Sequence, residues 1–68
     1  MEQATLQVGG MTCQGCVRGV TGALERLSGV LRVQVTLEKG TAVVDYDPAK
    51  TELLALKAAV EAAGFDVA

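Results

Sequence analysis

The chain has 68 residues, a formal charge of −2 at neutral pH and no histidine, and half of its residues are apolar. That length makes one domain, residues 1–68, able to bury only ~60% of the surface its unfolded form exposes. The acidic balance argues against a general nucleic-acid binder, which shows a basic excess, and no apolar run approaches the roughly 18 residues of a membrane-spanning helix. Tyr46 and Phe65 are the only aromatic residues, so a core must be built from Val, Leu and Ala.

Residues Ala4 to Val8 alternate weakly, with Leu6 and Val8 on one side, and predict a short first strand. Gly9-Gly10 breaks it and opens a loop. From about Cys16 the period lengthens: Val17, Val20, Leu24 and Leu27 fall on one face of a helix. Ser28-Gly29 ends that helix, with Gly29 as a left-handed terminator. Leu31, Val33, Val35 and Leu37 then alternate with Arg32, Gln34 and Thr36, a strand with one wet face. Glu38-Lys39-Gly40 is a tight turn into a partner strand, where Ala42, Val44 and Tyr46 alternate with Thr41, Val43 and Asp45. Pro48 in the loop Asp47–Lys50 stops the strand. Thr51 is expected to cap a second helix, with Glu52 in its first turn and a stripe of Leu53, Leu56, Val60 and Ala63. Gly64 closes it, and Phe65-Asp66-Val67 is a last strand.

The order β-α-β-β-α-β, with one apolar stripe per helix and a two-faced sheet, predicts an α+β chain. Two helices on one face of a four-stranded antiparallel sheet bury every stripe at once, the ferredoxin-like split βαβ sandwich.

The strongly reactive chemistry lies in the run Gly10-Met11-Thr12-Cys13-Gln14-Gly15-Cys16. The start Met1-Glu2-Gln3-Ala4-Thr5 lacks the basic residues and apolar stretch of a secretory signal, so the chain is expected in the cytosol. A Cys pair stays reduced there, and is more often metal-binding or catalytic than a staple. With Cys13 in the loop and Cys16 in the first helical turn, the sulfurs can converge on one point. Two thiolates suit a soft ion: Cu(I), but also Zn(II) or Hg(II). Zinc prefers four donors, and this chain offers two strong ones, so the donor count fits Cu(I) best. The helix entrance favours thiolate over thiol. Thr12 is positioned to cap the turn, and Gly10 and Gly15 are expected to let the backbone bend round the ion. Met11 could offer a third sulfur, but its expected place is the core.

The Cys-x-x-Cys pair, the Gly-Met-Thr before it, the strand before that and the amphipathic helix after it together resemble the heavy-metal-associated domain family. The resemblance runs from Leu6 to Val67, and the ends Met-Glu-Gln-x-Thr-Leu-Gln-Val and Gly64–Ala68 look most like bacterial copper chaperones of the CopZ type. It implies that Cys13 and Cys16 are the metal ligands. It further implies a cytoplasmic, non-enzymatic copper chaperone serving copper homeostasis, which passes Cu(I) to the N-terminal metal-binding domains of a copper-transporting P-type ATPase. One position departs: bacterial copper chaperones often carry Tyr, and eukaryotic ones Lys, where this chain has Phe65. Phe65 is expected to pack beside the metal loop without offering it a hydroxyl.

Four other readings compete. A thioredoxin-type dithiol oxidoreductase resembles a longer chain with an aromatic residue before the first Cys, where this chain has Thr12. A carrier of Hg(II) or Zn(II) and an excised metal-binding domain of a transporter would use the same residues. In an interaction module the thiols would be incidental. The open two-sulfur site also invites a copper-bridged homodimer. Glu2, Glu25, Asp45, Asp47, Glu52 and Glu61 read as a solvated shell, and Arg18 reads first as solvated too, with a place facing a partner's acidic surface as the alternative.

Overall fold

A computed structural model describes residues 1–67. The elements are β1 (Glu2–Gly9), α1 (Gln14–Glu25), β2 (Val30–Thr36), β3 (Thr41–Tyr46), α2 (Leu53–Ala62) and β4 (Asp66–Val67). The four strands form one antiparallel sheet in the order β2-β3-β1-β4. Both helices pack against the sheet and against each other, which is the expected ferredoxin-like arrangement.

The core is aliphatic, as the composition required. Leu6 and Val8 of β1, Val20 and Leu24 of α1, Ala42 and Val44 of β3, and Leu56 and Val60 of α2 are buried. No charged or polar residue is buried among the described residues. Glu2, Glu25, Glu52 and Glu61 are exposed as a solvated shell requires, while Asp45 and Asp47 are half-buried and accept hydrogen bonds from the Gln3 side chain and the Ala49 amide. Among those residues no helix is long and apolar enough to cross a membrane.

Where the structure departs from the sequence pattern, a local cause is visible. Leu31 was expected on the dry face of β2 but is 56% exposed. The register slips there: Val30 pairs with Tyr46 and Arg32 with Asp45, leaving Leu31 unmatched. Such a bulge inserts one extra residue and resets the alternation. Val30 packs on the core in its place, and Val33 and Val35 follow in phase.

Helix α2 begins later than expected. Its N-cap is Glu52, not Thr51, and no side chain caps it. The cause is the preceding turn. The amides of Ala49, Lys50 and Thr51 all bond to Asp47, the first to its carboxylate at 3.0 Å and the others to its carbonyl at 2.9 and 3.1 Å. Thr51 therefore belongs to that turn, and the chain needs one extended residue before the helix. The expected stripe also shortens. Leu53 lies in the first turn and is 41% exposed, while Ala63 is the C-cap and exposed.

Helix α1 ends two residues before the predicted stop, at Glu25, with Arg26 as its C-cap. Leu27 still reaches the core from the turn that follows. Gly29 takes the expected left-handed backbone, φ +96°. Its carbonyl accepts the Asp47 amide at 2.8 Å and ties this turn to the end of β3.

Candidate metal centre

The thiol segment hangs between β1, an interior strand of the sheet, and the first turn of α1. The chain leaves β1 through Gly10, whose φ of +90° only glycine adopts without strain. Cys13 is the N-cap of α1, in extended conformation at φ −158° and ψ 171°. Its carbonyl accepts the amides of Cys16 at 3.1 Å and Val17 at 3.3 Å, which starts the helix. Cys16 thereby falls in the first turn, and the two Sγ atoms lie 3.4 Å apart. Both thiols are free; Cys13 is exposed and Cys16 half-buried.

Electrostatics at this entrance favour sulfur as thiolate. Unpaired first-turn amides and the positive end of the helix dipole stabilise negative charge. The Cys16 thiol is held below its ordinary value, chiefly by a backbone hydrogen bond from Thr12 and then by the Cys13 side chain, with burial opposing them. Thr12 does not cap the helix as expected, because α1 starts at Gln14 and Thr12 lies one position too early. Its hydroxyl sits 4.0 Å from the Cys16 sulfur instead. Gly15 does not bend the loop either. It lies inside α1 without a positive φ, so its backbone is one that any residue adopts.

The remaining donors stay away. Among the described residues, no group of three or more His, Cys, Asp or Glu side chains gathers at one point. Met11 is half-buried and packs against the core, as expected. An arrangement of two convergent sulfurs suits an ion that accepts low coordination, and it is too poor in donors for a closed tetrahedral zinc site. Arg18 is exposed on α1, one turn beyond the N-cap.

Phe65 reaches this region through the end of α2. The Phe65 amide bonds to the Val60 carbonyl at 3.3 Å and the Gly64 amide to that of Glu61 at 2.9 Å, with Gly64 at φ +96°. This double closure is a Schellman motif. It reverses the chain and aims the half-buried ring at the thiol segment. The Phe65 Cδ1 atom lies 3.8 Å from the place a Cβ on Gly10 would occupy. Its Cε2 and Cζ atoms lie 3.7 and 3.8 Å from the corresponding place at Gly19. The ring thus spans the base of the segment, from the loop before the thiols to the helix turn after them. Packing beside the metal loop was expected of Phe65; the part played by Gly19 was not. A glycine in mid-helix was the available signal.

Comparison with known proteins gives a consistent result. The family model described as "Heavy-metal-associated domain" matches residues 5–66. The chain is 46% identical over 68 residues to a protein named "Copper chaperone CopZ" from Bacillus subtilis, covering 100% of this chain and 99% of that one. A solved structure named "CopZ metallochaperone" superposes with a TM-score of 0.96 at 39% identity, covering 98% of this chain and 100% of the other. A copper-binding domain from HMA7, a P-type ATPase, superposes with a TM-score of 0.98 at 34% identity, covering 100% and 92%.

Proposed function

Because the chain belongs to the heavy-metal-associated domain family, we propose that it is a cytosolic Cu(I) chaperone that holds the ion between the thiolates of Cys13 and Cys16 and hands it to a copper-transporting P-type ATPase. It works as one domain over residues 1–68, and it breaks no substrate bond. The observation that carries this reading is the sulfur pair, 3.4 Å apart at the entrance of α1 with one member exposed. The likeness to an ATPase copper-binding domain supports the choice of partner, since a domain of the same fold would present a matching site. A metal-binding domain inside such an ATPase would use these same residues.

Transfer proceeds by ligand exchange. Cu(I) held by two sulfurs is under-coordinated, so an incoming thiolate of the partner adds as a third donor. One of the two original sulfurs then leaves, and the ion crosses without being released to water. Exposure of Cys13 provides the approach. The decisive experiment is a titration of the reduced protein with Cu(I) against a strong chelating competitor, followed by mixing with an N-terminal domain of a copper ATPase. One ion per chain and quantitative passage are expected; no capture under competition would overturn the reading.

The pH dependence follows from the sulfurs. A lowered Cys16 value keeps its thiolate available further toward acid than an ordinary thiol would allow. Below that value protons compete with the metal, so affinity falls with pH, by about tenfold per unit for each thiol protonated in the free protein. Competition titrations at a series of pH values check this, and a flat profile from neutral to acid would contradict thiolate ligation.

An open two-donor site also accepts sulfurs from a second copy. Metal-free protein is expected to sediment as a monomer, and copper-loaded protein at high concentration as a dimer sharing its ions. Sedimentation velocity across copper loadings reads this directly, and a monomer under all conditions removes the bridged dimer.

A further inference from the structure

Helix α1 contains three glycines, Gly15, Gly19 and Gly22, and none has the left-handed backbone that calls for glycine. Glycine inside a helix weakens it relative to alanine, so what matters at each is the space its missing side chain leaves. That space differs in all three. A Cβ on Gly22 would meet nothing within 4 Å, and one on Gly19 would touch the Phe65 ring. A Cβ on Gly15 would stand 3.6 Å from the Cys13 sulfur, in ordinary van der Waals contact without a clash. Cys16 already occupies another side of that sulfur, at 3.4 Å. Gly15 alone of the three therefore decides how much of the Cys13 sulfur is left bare.

We propose that Gly15 sets the rate at which the cargo ion is passed on, by leaving this flank of Cys13 open to an incoming thiolate. The inference rests on the carrier reading given above. In the exchange, the partner's thiolate forms a sulfur–copper bond and the bond from Cys13 breaks. Cys13 takes up the proton that the partner's thiol gave up, and copper stays cuprous throughout. A Cβ at position 15 fits beside the sulfur in ordinary contact, so it crowds this approach while both ligands remain in place. Gly15 is thus a residue of access rather than of affinity.

The test separates the sulfur's accessibility from copper chemistry. In a Cys16→Ser background, the rate of Cys13 alkylation by iodoacetamide is measured at its alkaline plateau, where thiolate content no longer varies. Gly15→Ala is expected to slow it about threefold and Gly15→Val about tenfold, while Gly22→Ala and Gly22→Val leave it within about twofold. In the two-thiol protein, the same Gly15 changes are expected to slow Cu(I) passage to a dithiol acceptor by similar factors. The Cu(I) dissociation constant should stay within about threefold, because both sulfurs keep their positions. Equal alkylation rates in the Gly15 and Gly22 variants would overturn the proposal whatever copper does. So would slowed alkylation with unchanged passage, or a loss of affinity that matches the loss of rate. Failure of the unmodified protein to capture Cu(I) would instead sink the carrier reading, and this proposal with it.

Discussion

A Cys13→Ser variant is expected to lose stoichiometric Cu(I) capture under competition and to deliver no measurable copper to an acceptor, while folding as well as the parent. The functional loss is complete because a serine hydroxyl stays protonated at neutral pH and is a hard oxygen donor, leaving a soft ion with one sulfur. The fold is spared because Cys13 is exposed and outside the core. Cys13 also occupies the N-cap of α1 without making a side-chain cap. Serine is a preferred residue there, and its hydroxyl can accept a first-turn amide, with a gain of up to about 1 kcal/mol. The variant therefore separates binding from stability. Its thermal midpoint should match or exceed the parent's while copper capture vanishes. A serine variant that binds one ion with the parent's affinity would remove Cys13 from the ligand set.

The largest loss of stability is expected from Gly29→Ala. Two costs act together. At φ +96° an L-residue meets its own backbone, at about 1–2 kcal/mol. The new Cβ would also lie 2.7 Å from Lys50 Cβ, 3.3 Å from Thr51 Cγ2 and 3.4 Å from the Lys50 carbonyl carbon. Relief requires the turn after β3 to move, and crowding of this kind typically costs about 1–3 kcal/mol. The sum, about 2–5 kcal/mol, is a large share of the ~3–10 kcal/mol that a chain of this size commands. At about 4–8 °C per kcal/mol, the midpoint should fall by on the order of 10 °C or more. Helix α1, about 18 Å long, separates Gly29 from the thiols, so the folded fraction should retain its copper affinity. A midpoint within a few degrees of the parent's would show that the Gly29–Lys50 contact is slack.

The fold was legible because its signals were periodic. Leu6 and Val8, Val20 and Leu24, Ala42 and Val44, and Leu56 and Val60 all fall where strand and helix spacing put them, and all are buried. What escaped were features decided by one residue's tertiary surroundings. Spacing gives no sign that Leu31 would be expelled by a bulge, since an extra residue keeps the local composition unchanged. Thr51 has the chemistry of a cap, but it lies in the turn closed on Asp47, and the helix starts one residue later with Glu52 at its N-cap. At the candidate site, the convergence of Cys13 and Cys16 follows from a two-residue gap at a helix start. The seat of Phe65 between Gly10 and Gly19 does not follow, because it depends on where the α2 turn delivers the ring. The contrast among the three glycines of α1 is equally invisible in one dimension, since each reads simply as a weak helix former.

The division between an all-aliphatic interior and a sulfur pair outside it has a consequence for signalling. The proposed ion would sit outside the eight packed side chains, and Phe65, seated against both that interior and the thiol segment, is the side chain that links the two. If Cys13 and Cys16 hold the ion as proposed, machinery that must tell the full protein from the empty one has its most direct signal at the rim, in the charge and shape of a few exposed atoms.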